Sequence, residues 1–101
     1  MSHDATPPPV AVTLVKSPAC HFCEDADAAL VELAASYALD VSRVALESEV
    51  GAHLTAVHRP AMSPLVLVDG EYFSAGRLPR RKLIKLLESR NVALPQPAGT
   101  R

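Results

Sequence analysis

Two cysteines stand two residues apart in Cys20-His21-Phe22-Cys23, and the chain has no others. A thiolate attacks disulfide sulfur, and a second thiol within reach can displace it from the mixed disulfide. A pair at this spacing suits thiol–disulfide exchange, with Cys20 attacking and Cys23 resolving, provided the neighbouring elements agree. The same atoms allow other readings. Free cysteine is often a small interior residue. A metal site would have to recruit His21 or the distant His53 or His58, because two cysteines do not fill a four-ligand zinc site. A structural disulfide across so small a loop is not expected to persist in a reducing compartment.

Exchange chemistry needs a strand that ends just before the pair and a helix that begins at it. Val10-Ala11-Val12-Thr13-Leu14-Val15 is an apolar, β-branched run that reads as a strand buried on both faces. Ser17-Pro18-Ala19 breaks it. From about Cys20 to Ala38 the pattern is helical, with Cys23, Ala26, Leu30, Leu33 and Tyr37 at spacings of three and four. Cys20 is thereby expected at or just before a helix N-terminus. Unpaired N–H groups and the positive end of the helix dipole favour a thiolate there. Cysteines so placed titrate anywhere from about 3.5 to 7.5. Glu24, Asp25 and Asp27 suit the dipole but, as nearby carboxylates, raise the energy of a thiolate. His21, if protonated, acts the other way and is the expected tuning residue. Phe22 is expected to offer a contact surface beside the dithiol.

Further along, a weaker strand is expected around Val41 to Leu46 and a second helix from Ser48 to Val57. The two prolines of Arg59-Pro60-Ala61-Met62-Ser63-Pro64 forbid regular structure and make a loop. Leu65–Val68 and Glu71–Ser74 flank Asp69-Gly70, the signature of a tight hairpin with positive φ at its two central residues. Pro79 opens a last helix reaching about Ser89, with Leu83, Ile84, Leu86 and Leu87 expected to face inward. The order β-α-β-α-β-β-α predicts an α/β fold whose central mixed sheet is flanked by helices. Its first strands run parallel through crossovers, and the hairpin adds an antiparallel pair.

Composition bounds the rest. At 101 residues, 49% hydrophobic and 21% charged, the chain reads as one globular domain over 10–90, with a flexible Pro-rich arm over 1–9 and a tail over 91–101. Only 4% is aromatic and there is no Trp, so Leu, Val and Ala must build the core. A net charge of -1 recruits neither nucleic acid nor anionic membrane. The apolar runs are too short to span a bilayer. Met1–Pro9 lacks the basic start and apolar stretch of a secretory signal, so the cytoplasm is the expectation for a full gene product; a monomer is expected. Arg77, Arg80, Arg81, Lys82, Lys85 and Arg90 crowd the last helix. They could attract an acidic partner or a dinucleotide, but their alternation with leucines favours a solvated face.

Leu14-Val15-Lys16-Ser17-Pro18-Ala19-Cys20-His21-Phe22-Cys23 resembles the strand and active-site turn of the thioredoxin and glutaredoxin superfamily. Met62-Ser63-Pro64-Leu65-Val66-Leu67-Val68-Asp69-Gly70 is similar to that family's proline loop, strand and turn. Ser74-Ala75-Gly76 and the following helix resemble its glycine-bearing end. The likeness spans about residues 10–90 and implies a thioredoxin-like fold with a four-stranded sheet. It implies a thiol–disulfide oxidoreductase whose catalytic residues are Cys20 and Cys23, needing no metal or organic cofactor because the cysteines are the redox centre. It further implies a cis Ser63–Pro64 bond beside the dithiol, and a Ser63 backbone that pairs with an extended substrate segment as an added strand. Met62, Ser63, Pro64 and Phe22 then form the substrate surface. The partners would be a disulfide-containing protein or a low-molecular-weight thiol, with a reductase or small thiol as electron donor.

The chain departs from both subfamilies. Lys16 lies four residues before Cys20 with Ser17 in the nearer place, the glutaredoxin Thr-Val-Pro is Met62-Ser63-Pro64, and its paired glycines are Ala75-Gly76. The thioredoxin cation after the second cysteine is Glu24. Two alternatives stay open: a redox-inactive module that keeps the fold to hold a partner at the Ser63-Pro64 groove, and a metal- or cluster-holding protein, through a dimer sharing Cys20. Dithiols of this class span about -270 to -120 mV, so spacing alone does not choose between reductant and oxidant.

Overall fold

The computed structural model describes residues 7–95. The expected arm over 1–9 and tail over 91–101 lie largely outside the described residues.

Seven elements follow in chain order: β1 (Val10–Lys16), α1 (His21–Ala34), β2 (Leu39–Ala45), α2 (Glu49–His58), β3 (Leu65–Val68), β4 (Glu71–Ala75) and α3 (Arg80–Ser89). They build one four-stranded sheet in the order β2-β1-β3-β4. The crossover through α1 makes β1 and β2 parallel, in register from Val10↔Leu39 to Lys16↔Ala45. β3 runs antiparallel to β1, with Val15 opposite Leu65 and Val12 opposite Val68. Asp69 and Gly70 have φ of 51° and 82°, which returns the chain directly into β4 as the Asp-Gly signature requires. The arrangement is thioredoxin-like.

Side chains alternate across the sheet and feed two cores of unequal size. Val10, Val12 and Leu14 of β1, with Val66 and Val68 of β3, meet Ala26, Ala29 and Leu30 of α1 and Leu83 and Leu87 of α3. On the other face Val15, Leu65 and Leu67 form a smaller cluster with Val44, Leu46 and Leu54, under α2. Two small alanines in α1 bring that helix close to the sheet in a chain poor in aromatics. A register shift opposite Val66 and Leu67 leaves Phe73 as the extra residue of β4, and its ring turns into the larger core. Lys82 of α3 lies over that ring, 5.0 Å from its centroid. Among the described residues no helix is long and apolar enough to cross a membrane.

Several element ends differ from the sequence reading. α1 stops at Ala34 rather than Ala38, because Tyr37 pairs with Ala93 in an isolated bridge and the Ala38 N–H donates to the Val92 carbonyl at 2.8 Å. β2 starts at Leu39 rather than Val41, since parallel pairing with β1 continues to that residue. In α3 Leu83 and Leu87 are buried while Ile84 and Leu86 are only partly so. The hairpin is also pinned from outside itself: Asp69 accepts from the Ala11 N–H at 3.2 Å and pairs with Arg90. First the Arg90 guanidinium and then that N–H hold the Asp69 carboxyl below its ordinary range.

Gly51 weakens α2 as a helix former, yet packing requires it. Ser48 caps the helix by accepting from the Gly51 N–H at 3.0 Å while its own hydroxyl donates to the Ala45 carbonyl at 2.7 Å. This pulls α2 so close to the end of β2 that a Cβ on Gly51 would stand 2.0 Å from the Ala45 oxygen. Urea unfolding of Gly51→Ala should therefore show a loss of about 1–3 kcal/mol, the usual cost of overpacking, despite alanine's better helix propensity. Unchanged stability would mean that α2 does not dock as described.

Candidate active site

β1 ends at Lys16, and the chain must turn at once from an extended strand into a helix. Ser17, Pro18 and Ala19 make that turn, with Ala19 at φ 51° in the left-handed region that a Cβ disfavours. Cys20 follows in extended geometry, φ -118° and ψ 109°, and is the N-cap of α1. Its Sγ accepts from the Cys23 N–H at 3.1 Å, in the role that a serine or aspartate oxygen plays at most helix starts. The Cys20 carbonyl takes the first helical bond, from the Glu24 N–H at 3.1 Å.

The helical turn brings the two cysteines together as a disulfide, with Cα atoms 5.1 Å apart. Their exposure differs. Cys20 is partly open to solvent, whereas Cys23 is 1% exposed. Cys20 is thus partly exposed, with its sulfur bonded by a helix-start N–H, and Cys23 is buried. The Ser17 hydroxyl approaches the buried sulfur, with Oγ 4.0 Å from Cys23 Sγ.

The other sequence-derived candidates surround this point at varying range. His21 and Phe22 occupy the first turn of α1 and are both exposed, Phe22 at 39%. Pro64 directly precedes Leu65, whose partner is Val15 near the carboxyl end of β1. Met62, Ser63 and Pro64 therefore lie at the same end of the sheet as the cysteine turn. The Ser63–Pro64 peptide is cis, as the resemblance implied. Pro64 is buried, and its carbonyl accepts from the Gly76 N–H at 2.9 Å. Met62 is 53% exposed and rests on Gly76, where a Cβ would come within 3.2 Å of its Sδ. With φ of 85°, Gly76 also holds a backbone conformation unsuited to a side chain.

The carboxylates expected to crowd the thiolate are mostly engaged elsewhere. Asp27 bonds Lys16 of β1 at 2.8 Å and Arg43 of β2 at 2.9 Å, tying α1 to two neighbouring strands. Hydrogen bonds from Arg43 and then Lys16 hold its carboxyl down at about 2. Asp25 pairs with Arg80 of α3 at 2.9 Å, and Arg80 also reaches Glu32 at 3.6 Å. Glu24 alone is acidic in the first turn of α1. So the basic crowding of the last helix is partly structural: Arg80 braces α1, Arg90 holds the hairpin, and Lys82 covers Phe73.

Asp27, Arg43 and Ser17 were not among the expected site residues. The charge pattern showed Asp27 only as a dipole-compatible acid, because its partners are distant in sequence and meet it only through the β1–β2 register. A cleft of about 330 Å³ opens where β1 and β2 end, with Lys16, Ser17, Pro18, Arg43 and Glu47 on its walls. No three His, Cys, Asp or Glu side chains converge as a metal cluster among the described residues, and His53 and His58 remain on α2. No family model matches the chain, and no curated protein is similar enough to count as a relative.

The Asp27 brace has an acid signature. A carboxyl held below its unfolded value contributes stability that is complete above about pH 4 and is lost as pH falls through its folded value, about 2. Acid unfolding followed by circular dichroism should show this loss between about pH 4 and 2. Asp27→Asn should be less stable than the parent at neutral pH, and the difference should shrink through that window. A gap that stays constant down to pH 2 would rule out the brace.

Proposed function

We propose that this protein is a thiol–disulfide oxidoreductase that reduces or exchanges disulfides of proteins or small thiols in the cytoplasm. The observation that carries this reading is the asymmetry of the pair: a partly exposed Cys20 whose Sγ is bonded by the N–H of a helix start, joined to a buried Cys23. A helix-start N–H and the aligned peptide dipoles stabilise negative charge on the sulfur they face.

Starting from the reduced pair, the Cys20 thiolate attacks one sulfur of a substrate disulfide. A Cys20–substrate bond forms, and the other substrate sulfur leaves as a thiolate with the electron pair of the broken bond. Cys23 gives up its proton and attacks Cys20 Sγ. The Cys20–Cys23 bond forms, and the second substrate sulfur departs as a thiolate. The two departing thiolates take protons from water or not according to their own pKa. The pair is oxidised by two electrons, the substrate is reduced by two, and an external thiol or reductase restores the dithiol by the reverse steps. Met62, Ser63, Pro64 and Phe22 form the surface that receives the segment carrying the disulfide. The partly exposed Ser63 supplies backbone for strand-like pairing, and Phe22 and Met62 supply apolar contact. His21, exposed beside Cys20, tunes the pair when it carries a proton.

Purified protein should catalyse reduction of a small disulfide with dithiothreitol as electron source, and Cys20→Ser should fall to the uncatalysed rate. Cys23→Ser should still make the first attack and then stall, giving a covalent adduct by mass spectrometry. Activity of Cys20→Ser equal to that of the parent would end this reading.

A further inference from the structure

Resting on the exchange reading above, we propose that Ser17 is a positioning residue for Cys23: its hydroxyl stabilises the Cys23 thiolate and connects that buried sulfur to solvent in the cleft between β1 and β2. The resolving step sets a physical problem. Cys23 is 1% exposed, so water does not solvate its thiolate, and a charge left unsolvated in an apolar surrounding is costly. Its proton must also reach solvent by some route before it can attack.

The Ser17 side chain meets both needs. In the disulfide Cys23 carries no proton, so across the 4.0 Å contact the Ser17 hydroxyl is the donor and the sulfur the acceptor. Among the described residues it is the one side chain that hydrogen-bonds Cys23 Sγ. When Cys23 is released as a thiolate the same contact becomes a bond to an ion, a stronger class than its neutral counterpart. Ser17 also forms part of the wall of the cleft of about 330 Å³, alongside Lys16, Pro18 and Arg43.

No charged neighbour takes this role. His21, Glu24, Asp25 and Asp27 share α1 with Cys23, Lys16 ends β1, Arg43 lies on β2 and Arg80 on α3. Asp27 is engaged by Lys16 and Arg43, and Asp25 by Arg80. His21 and Glu24 are exposed. None of these hydrogen-bonds Cys23 Sγ, so a single neutral hydroxyl is left to stabilise the buried thiolate.

In the resolving step the Cys23 thiol loses its proton, by way of the hydroxyl, to water in the cleft. The thiolate lone pair then forms the bond to Cys20 Sγ, and the electrons of the Cys20–substrate bond leave with the substrate sulfur. The hydroxyl ends with the proton count it began with.

Reduced full-length protein mixed with a stoichiometric amount of dithiobis(nitrobenzoate) separates the two steps. A first coloured thiolate is released as Cys20 attacks, and a second as Cys23 resolves the adduct. With Ser17→Ala the first release should be unchanged. The second should slow about tenfold at neutral pH, with its pH midpoint about one unit higher, since one unit of pKa is a factor of ten in thiolate population. Ser17→Thr, which keeps the hydroxyl, should restore both rate and midpoint. An unchanged midpoint in Ser17→Ala overturns the assignment, whether or not the rate falls, because a merely structural role slows the step at every pH. Absence of the first release in the parent protein overturns the exchange reading itself, and this assignment with it.

Discussion

An α-helix begins with backbone N–H groups that no earlier residue of the helix can satisfy. At the start of α1 the N–H of Cys23 is met by sulfur, the Sγ of Cys20 at 3.1 Å, and the rest of the site follows from that substitution. A capping residue must be extended and must directly precede the first turn, so Cys20 is fixed in orientation as well as in position. The same geometry turns Cys23 inward, one helical turn along, onto the face that packs against the sheet. A helix start that needs an acceptor thus becomes a sulfur that faces the positive end of a dipole.

That arrangement depends on β1. It runs straight into the cysteine turn and has partners on both sides, pairing with β2 along its length and with β3 from Val12 to Val15. Val10, Val12 and Leu14 anchor the larger core and Val15 the smaller one, so the strand cannot slide without exposing one face or the other. The antiparallel β3 brings the Met62-Ser63-Pro64 loop to the same end of the sheet. A stretch some forty residues downstream thereby becomes a neighbour of the dithiol turn by topology alone.

Charge around the pair is arranged in a way that net composition does not reveal. α1 carries several acids near its start, which taken alone would oppose a thiolate. Asp27 is drawn to the β1–β2 side by Lys16 and Arg43, and Asp25 to the α3 side by Arg80. Each contact is partly exposed, and single exposed ion pairs contribute little stability. Their effect here is directional: they commit the acids to cations on neighbouring elements and hold α1 from two sides. The chain uses half of its last helix's basic character in the same manner, as bracing between elements.

Much of this was legible from residues alone. The order of elements could be read because each carries a local cause: β-branched runs for the strands, three-and-four spacing for α1 and α3, two prolines for the loop, and Asp-Gly for the hairpin. The dithiol and its place at a helix start were legible for the same reason, since strand, break and helix are contiguous in the chain. The cis Ser63–Pro64 bond was reached only through family resemblance, because nothing local to a proline announces its isomer. The end of α1 is not legible in the sequence, since Tyr37 fits the helical spacing and leaves it only to pair with Ala93. Tertiary structure alone decided that Asp27 meets Lys16 and Arg43, that Gly51 must be small, and that Ser17 reaches Cys23. Each of these is a contact between segments that the sequence separates and the sheet register brings together, and register is set by the burial of whole faces, which no local pattern contains.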